Sequence, residues 1–238
     1  MGFSIGDFNI EIIDDGIFFK KFLSQYEKDF NFADLEIQIA NSDLEFEKRN
    51  AKQYYADSYL HFIASFRKFA EWLPNNNAFV LHSATFDVDG VGVAFAARSG
   101  TGKSTHMFLW QKLLGDRMTV VNGDKPIVRF FEDEPECPYA YGTPWNGKEK
   151  LGCNMRTPLK HICFIERAKE NSVEKVDSKD AINRILNQVY MPKNPVALAK
   201  TMELINRLIN CCNFWQINCN MEPEAAEVAY NTIFGENQ

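Results

Sequence analysis

Apolar and polar positions alternate with a period of two in parts of the N-terminal segment. Residues 8–13 and 35–39 show this alternation, which predicts half-buried strands. A short helix is expected over residues 17–28 and a long one over residues 48–73. The long segment carries aromatic residues three and four positions apart, a stripe typical of a helix face packed in a core. The stripe consists of Tyr55, Tyr59, Phe62, Phe66, Phe69 and Trp72.

Short apolar segments alternate with helical ones in the rest of the chain. Strands are predicted over residues 78–88, 91–96, 118–122, 125–131, 159–165 and 214–218. Helices are predicted from about residue 103 through Leu114, and over residues 178–190, 195–211 and 222–234. Asp89-Gly90, between the first two of these strands, is a two-residue hairpin signal. The pattern predicts an α/β fold, with a core over residues 76–238 and a small α+β portion, residues 1–75, packed on it.

The composition is that of a globular protein and narrows the classes of partner. The chain has 238 residues, of which 45% are hydrophobic, and this length can bury one sizeable core. Its net charge of −6 argues against a nucleic-acid partner, because such proteins usually present a basic surface. A local basic pocket for a nucleotide remains compatible with this charge.

The sequence shows no sign of a membrane or an export signal. No stretch is apolar over the length needed to cross a bilayer, and the first 16 residues lack the features of a signal peptide. We therefore expect a cytoplasmic protein without a membrane partner. The six cysteines have no zinc-site spacing and are interpreted as reduced thiols.

The most specific motif is the segment ARSGTGKST, residues 97–105. It matches the phosphate-binding loop pattern, except that Ala97 stands at the first glycine position. Glycines permit the turns that aim several backbone N–H groups at one anion, and a helix N-terminus adds its positive dipole end. Lys103 supplies charge for the outer phosphates, and Ser104 supplies a hydroxyl for Mg²⁺. The expected nucleotide contacts are Ser99, Gly100, Thr101, Gly102, Lys103, Ser104 and Thr105; a chance match in a Ser/Gly turn is the alternative.

Two further residues are expected near this loop. Asp124 follows the predicted strand 118–122, where a Walker-B acid would bind Mg²⁺ together with Ser104. An ordinary turn aspartate is the alternative, since Asn-Gly-Asp is a good turn sequence. His82 lies on the strand that the hairpin pairs with the strand feeding the loop, so its imidazole is expected to reach the phosphates. The alternative for His82 is a structural histidine.

A polar turn after Pro144 holds weaker candidates. Lys148 is expected to contact phosphate, and Trp145 to stack on the nucleotide or close the site, unless this turn is an ordinary solvent loop. Arg156 and Lys160 are basic residues that could help to neutralise an anionic substrate. The other three histidines, His61, His106 and His161, are interpreted as structural residues.

The central part of the chain resembles a known family. Residues 81–105, LHSATFDVDGVGVAFAARSGTGKST, resemble the HPr kinase/phosphorylase family, in which a strand histidine, a hairpin and a Ser-Gly-x-Gly-Lys-Ser loop follow in this order. Residues 120–129, VVNGDKPIVR, look like that family's acidic segment. Residues 141–168 resemble a signature of small bacterial carboxykinase-like proteins, several of which accompany peptide-modifying gene clusters. The resemblance covers residues 78–168 well and the rest weakly.

The resemblance implies a fold and an activity. The fold would be an HPr-kinase/carboxykinase-like P-loop core, a mixed sheet with flanking helices. The activity would be transfer of the γ-phosphate of ATP, bound with Mg²⁺, to a hydroxyl such as a serine of a protein or peptide. His82, Lys103 and Asp124 match the catalytic positions of the family, and Ser104 and Asp124 match its metal positions. Assembly into a homo-oligomer, as in some relatives, is left open.

One departure from the family pattern keeps two other functions open. The family has two adjacent aspartates after the loop helix, and Gly123 replaces the first of them. This departure is compatible with a non-catalytic ATP-binding regulatory or scaffold protein. A metabolic phosphoenolpyruvate carboxykinase is less favoured, because chains of that family are much longer and need metal- and substrate-binding residues that are not found here.

Overall fold

The computed structural model of the chain describes residues 1–13, 23–98 and 100–235. Residues 17–22, half of the helix predicted over residues 17–28, lie outside these ranges, as does Ser99 of the predicted loop. Within the described part of that helix, Ser24–Tyr26 forms a short 3-10 turn.

The described residues form twelve strands and six α-helices. The strands are β1 (Gly2–Ile5), β2 (Phe8–Ile13), β3 (Leu35–Gln38), β4 (Ala78–Val80), β5 (Ser83–Val88), β6 (Val91–Ala96), β7 (Met118–Asn122), β8 (Ile127–Arg129), β9 (Tyr139–Tyr141), β10 (Arg156–Arg167), β11 (Ser172–Lys175) and β12 (Asn213–Cys219). The helices are α1 (Asn41–Asn50), α2 (Asp57–Trp72), α3 (Lys103–Leu114), α4 (Ser178–Ile185), α5 (Pro195–Cys211) and α6 (Glu224–Gly235). Among these helices, none is both long and apolar enough to span a bilayer.

The strands form a small sheet and a large mixed sheet. The small sheet has the order β1-β2-β3, and the large one has the order β4-β8-β9-β10-β6-β5-β7, with β12 paired to β10 and β11 paired to β12. The long strand β10 joins the two halves of the large sheet, because its first residues pair antiparallel with β9 and the rest pair parallel with β6 and β12. The predicted mixed sheet with flanking helices is confirmed.

Helices cover both faces of the large sheet. On one face, α3 and α6 pack against β5, β6, β10 and β12, with Trp110 fully buried at the centre. On the other face, α4 and α5 pack against β4, β6 and β10 around Leu208 and Phe79. A third cluster joins β1–β3 and α2 to β4, β8 and β9. Residues 1–75 therefore bury apolar surface directly against the large sheet; their division from residues 76–238 as a separate domain stays a prediction.

The prediction of one long helix over residues 48–73 is wrong, because parts of two helices occupy this region. The first helix ends at Asn50, whose side-chain amide donates to the carbonyl of Phe46 and so competes with continued helical hydrogen bonding. The chain then turns back. Arg67 of α2 contacts the carboxylates of Asp43 and Glu47 of α1, at 2.8 Å and 2.6 Å. These ion pairs require α1 and α2 to lie side by side, so a continuous helix could not form them.

The strand predicted over residues 78–88 is interrupted. β4 pairs with β8, whereas β5 pairs with β6 and β7, so the chain changes partners at Leu81 and His82. At the interruption, the backbone N–H of His82 donates to the carbonyl of Gln188 at 2.7 Å, which lies outside the ladder of β5. The predicted hairpin at Asp89-Gly90 is confirmed, with φ values of 51° and 87° that suit a two-residue turn.

Candidate functional site

The pairing of three strands brings the predicted site residues to one edge of the sheet. β5 is antiparallel to both β6 and β7, so its start at Ser83 lies beside the ends of β6 at Ala96 and of β7 at Asn122. The residues that precede or follow these ends must therefore meet. They are His82 before β5, the glycine-rich loop after β6, and Asp124 after β7.

The glycine-rich loop needs its glycines for their backbone conformation. Gly100 has φ +80° and Gly102 has φ +125°, values that other residues adopt only with strain. Gly102 forms the N-cap of α3, and its carbonyl accepts the first helical hydrogen bond, from the N–H of His106. Ser104 is half-buried and Thr105 is exposed in the first turn. The loop thus ends at a helix N-terminus, which favours an anion.

The side chain of Lys103 turns inward beneath this loop and is only 8% exposed. Its ammonium donates to the carbonyl of Ala97 at 2.8 Å and lies 3.3 Å from Nε2 of His82. Burial lowers the pKa of Lys103, and the negative charge of Asp124 opposes this shift. A cation buried among neutral hydrogen-bond partners is stabilised when an anion arrives, so this arrangement favours phosphate at the loop.

Asp124 is ionised at neutral pH. Burial on its own would raise the pKa of this carboxyl, but the hydrogen bond with His82 and the charge and hydrogen bond of Lys125 outweigh it and lower the pKa to about 2. Oδ1 lies 3.2 Å from Nε2 of His82, and Oδ2 accepts from the Lys125 ammonium. The side chain of Asn122 shapes the turn, because its Oδ1 accepts the backbone N–H groups of Asp124 and Lys125 at 2.8 Å and 2.7 Å.

The ring nitrogen Nε2 of His82 has two neighbours of opposite character. The Lys103 ammonium can only donate a hydrogen bond, and the Asp124 carboxylate can only accept one. A bare Nε2 therefore accepts from Lys103, whereas a protonated Nε2 donates to Asp124. Nε2 therefore has a hydrogen-bond partner both with and without a proton.

The turn after Pro144 packs over Asp124. A Cβ at Gly147, whose φ is +82°, would lie 2.9 Å from Cβ of Asp124. The indole of Trp145 is 6% exposed, and its N–H donates to the carbonyl of Phe62 at 3.1 Å, so this ring is fixed against α2. Lys148 is exposed and lines the same cavity as Asp124.

Three residues that the sequence did not single out belong to this site. Arg167, at the end of β10, donates to the carbonyls of Thr101 at 2.9 Å and Gly100 at 2.6 Å and so holds the loop. Lys125 pairs with Asp124, and Glu149 faces the same cavity. Lys125 is detectable as the neighbour of a candidate acid. Arg167 has no local signal, because it is 66 residues from Thr101 in the chain.

The weaker candidates lie elsewhere. Arg156 contacts the hydroxyl of Tyr141 at 3.3 Å, and neither it nor Lys160 lines the cavity. His106 and His161 lie in the core, as predicted, where each accepts a hydrogen bond from an indole N–H, and burial lowers the pKa of each to about 4. His61 is only partly buried.

These groups surround a cavity of about 990 Å³, which is large enough for a nucleotide and part of a second substrate. One side carries the polar groups described above. A face of α2 also lines the cavity, with Tyr59, Phe62, Ile63 and Phe66.

The donor set fits a Mg²⁺ ion that arrives with a nucleotide. Mg²⁺ is usually held by one or two carboxylates together with phosphate oxygens and water. Asp124 supplies an ionised carboxylate and Ser104 a hydroxyl on the lining of the same cavity. In the ranges that the structure describes, no cluster of three or more His, Cys, Asp or Glu residues could hold a metal on its own. The phosphates would therefore complete the coordination.

Comparisons with known proteins show similarity at the level of structure and no match at the level of sequence. No protein-family model matches the chain, and no curated protein matches it. Among solved structures, the HPr(Ser) kinase/phosphatase from Coxiella burnetii is similar, with a TM-score of 0.39 and 8% sequence identity, over 67% of this chain and 99% of that one. At this level of similarity, the activity of that protein does not transfer to this chain.

Proposed function

We propose that this chain is an ATP-dependent phosphotransferase that moves the γ-phosphate of ATP to a hydroxyl, such as a serine of a protein or peptide. The observation that carries this proposal is the position of His82 Nε2, 3.3 Å from Lys103 Nζ and 3.2 Å from Asp124 Oδ1. This group of three lies directly beneath a glycine-rich loop that ends at a helix N-terminus. A phosphate-binding loop next to a proton acceptor is the arrangement that phosphoryl transfer to a hydroxyl needs.

The residues of the site share the tasks of this reaction. The loop and Lys103 bind the phosphates and balance their charge, while Ser104 and Asp124 would hold Mg²⁺. The bound ion would neutralise negative charge on the phosphoryl group. The acceptor oxygen forms a bond to the γ-phosphorus as the bond from that phosphorus to the bridging oxygen breaks, and ADP leaves with those electrons. The hydroxyl proton passes to Nε2 of His82.

We assign the role of proton acceptor to His82 and not to Asp124. A carboxylate with a pKa of about 2 is a weak base at neutral pH. The same carboxylate stabilises the imidazolium that forms when His82 takes the proton, because Oδ1 lies 3.2 Å from Nε2. Asp124 therefore acts as metal ligand and as the partner of the charged ring.

A second candidate function is a non-catalytic ATP-binding regulator or scaffold. It is favoured by the Lys125–Asp124 ion pair, which engages a carboxylate oxygen that a metal would use. Gly123 also supplies no second acid. A Cβ at Gly123 would lie 3.1 Å from the carbonyl of Asn146 and 3.4 Å from that of Leu151, so an aspartate there would crowd the turn.

The experiment that separates these functions uses the full-length chain with labelled ATP and Mg²⁺. Affinity for ATP, release of ADP and transfer of label to serine-containing peptides are measured for the native chain and for Lys103→Met. We expect Lys103→Met to weaken ATP binding at least about tenfold, because it removes a charged hydrogen bond to phosphate. Lys112→Met, on the exposed side of the same helix, is the matched control and should bind ATP normally.

Each outcome favours one function. Transfer of label by the native chain supports the phosphotransferase. Tight ATP binding without turnover on any acceptor supports the regulator. Equal ATP affinity of Lys103→Met and the native chain would contradict both functions, since both depend on this loop.

A further inference from the structure

An aromatic wall on α2 faces the candidate site. It consists of Tyr59, Phe62, Ile63 and Phe66, which line the same cavity as the glycine-rich loop. The sequence predicted that the aromatic residues of this helix are core residues. In the structure, however, Tyr59 is 38% exposed and Phe66 is only partly buried. The indole of Trp145 lines the same cavity, with its ring centroid 5.4 Å from that of Phe66.

The order of the strands defines the two ends of the site. Along the sheet the order is β10, β6, β5 and β7. The groups at the site edge therefore follow in the order Arg167, glycine-rich loop, His82 and Asp124. Arg167 and Asp124 lie at opposite ends, with the phosphate-binding loop and His82 between them.

The aromatic wall adjoins the Asp124 end. The Lys125 ammonium, which pairs with Asp124, lies 5.7 Å from the centroid of the Phe66 ring. Tyr59 is close enough to the same carboxylate to respond to its charge: burial raises the pKa of the phenol, and the charges of Tyr55 and Asp124 raise it further. The wall thus begins where the proton-accepting pair His82–Asp124 lies.

The geometry of phosphoryl transfer determines which substrate lies next to this wall. The attacking and leaving oxygens lie roughly in line, on opposite sides of the phosphorus. The acceptor oxygen must approach His82, which receives its proton, so it enters from the Asp124 end. ADP then extends toward the Arg167 end. The aromatic wall therefore faces the acceptor and not the adenine ring.

We propose that the acceptor carries a large apolar group, preferably aromatic, next to its reactive hydroxyl, and that this group packs on Tyr59, Ile63 and Phe66. A serine followed by an aromatic residue in a peptide has this chemistry. This inference rests on the proposed function, because the wall is assigned to the acceptor by its position relative to the transferred phosphate. Aromatic rings on the wall also favour an aromatic partner through edge-to-face and offset stacking.

The test uses two glycine-based hexapeptides that differ in one residue. In one peptide the central serine is followed by phenylalanine, and in the other by asparagine. Binding to the full-length chain is measured by calorimetry in the presence of Mg²⁺ and a non-hydrolysable ATP analogue, and transfer of label from ATP is measured separately. Tyr59→Ser is compared with Tyr54→Ser, a matched control whose tyrosine is 91% exposed and does not line the cavity.

We expect the phenylalanine peptide to bind about tenfold more tightly, as partial burial of one aromatic side chain implies. Tyr59→Ser should reduce this preference severalfold without changing affinity for the ATP analogue, and Tyr54→Ser should leave both unchanged. Equal binding of the two peptides would overturn the proposal. A weaker affinity of Tyr59→Ser for the ATP analogue, with the peptide preference intact, would overturn it as well and assign the wall to adenine.

The transfer measurement separates this proposal from the proposed function. Selective binding of the phenylalanine peptide without any transfer supports an aromatic peptide site on α2 and contradicts the phosphotransferase. Transfer to both peptides with equal efficiency supports the phosphotransferase and overturns the aromatic acceptor site.

Discussion

The ring nitrogen Nε2 of His82 lies 3.2 Å from the carboxylate oxygen Oδ1 of Asp124. The contact depends on the interruption between β4 and β5, which leaves His82 just before the first residue of β5. It also depends on the turn after β7, where Asn122 accepts the backbone N–H of Asp124. Two local features on neighbouring strands thus form the pair on which the proposed chemistry depends.

Replacement of His82 tests its proton-accepting role. We expect His82→Gln to lower kcat by at least about a hundredfold, as loss of a general base does. Affinity for ATP should change little, because the loop and Lys103 bind the phosphates. Steady-state kinetics together with equilibrium binding of ATP check this prediction. Parallel losses of turnover and of ATP affinity would instead indicate a structural role for His82.

Replacement of Arg167 tests whether its hydrogen bonds order the glycine-rich loop. Its guanidinium donates to the carbonyls of Gly100 and Thr101, so Arg167→Ala should leave the loop less ordered before ATP binds. We expect ATP affinity to fall about tenfold, corresponding to the loss of one or two charged hydrogen bonds. Lys169→Ala, at an exposed position two residues further along the chain, is the control. Unchanged ATP affinity of Arg167→Ala would show that the loop is held without it.

Local signals in the sequence predicted the parts of the site that lie close together in the chain. The glycine-rich loop, the hairpin at Asp89-Gly90 and the position of Asp124 after a strand all depend on short-range patterns. The positions of Arg167 and of the aromatic wall on α2 could not be predicted, because they depend on contacts of β10 with the loop and of the N-terminal portion with β4, β8 and β9. The aromatic residues of α2 show helical periodicity whether they face a core or a cavity.

Contacts between residues that are remote in sequence also explain the errors in the predicted elements. The break between α1 and α2 contains neither proline nor glycine, and Asn50 gives only a weak local stop signal at the end of α1. Contacts of Arg67 with Asp43 and Glu47 are formed only after the chain turns back. The interruption at His82 likewise depends on Gln188, which is remote in sequence. In both places tertiary contacts determined where the element ends.

Replacement of Gly147 tests the close approach of the turn to the site. A Cβ at this position would lie 2.9 Å from Cβ of Asp124, and the backbone has φ +82°. We expect Gly147→Ala to displace Asp124 and to lower turnover more than tenfold, since small misplacements of catalytic groups are costly. Gly90→Ala is a suitable control for backbone strain, because its φ is +87° and nothing lies within 4 Å of its Cβ position. Equal turnover of the two variants would contradict this prediction.

The buried imidazole of His106 predicts a loss of stability in mild acid. Its Nε2 accepts a hydrogen bond from the indole N–H of Trp110, and its Nδ1 has no partner among the described residues. Protonation would break that hydrogen bond and leave a buried charge, and burial accordingly lowers the pKa of His106 from 6.5 to about 4. The folded state therefore binds fewer protons than the unfolded state between these two values.

The direction of the effect follows from this difference. The contribution of His106 to stability is complete above about pH 6.5 and is lost as the pH falls toward 4, amounting to about 3 kcal/mol for a shift of this size. Urea unfolding between pH 4 and 8 should show a steeper loss for the native chain than for His106→Leu, which has no titratable group at this position. Lys112→Met, on the same helix, should keep the native dependence on pH. If the stability of His106→Leu and of the native chain depended on pH in the same way, the ring of His106 would not titrate in this range. The carboxyl of Asp124, with a pKa of about 2, affects stability only at lower pH.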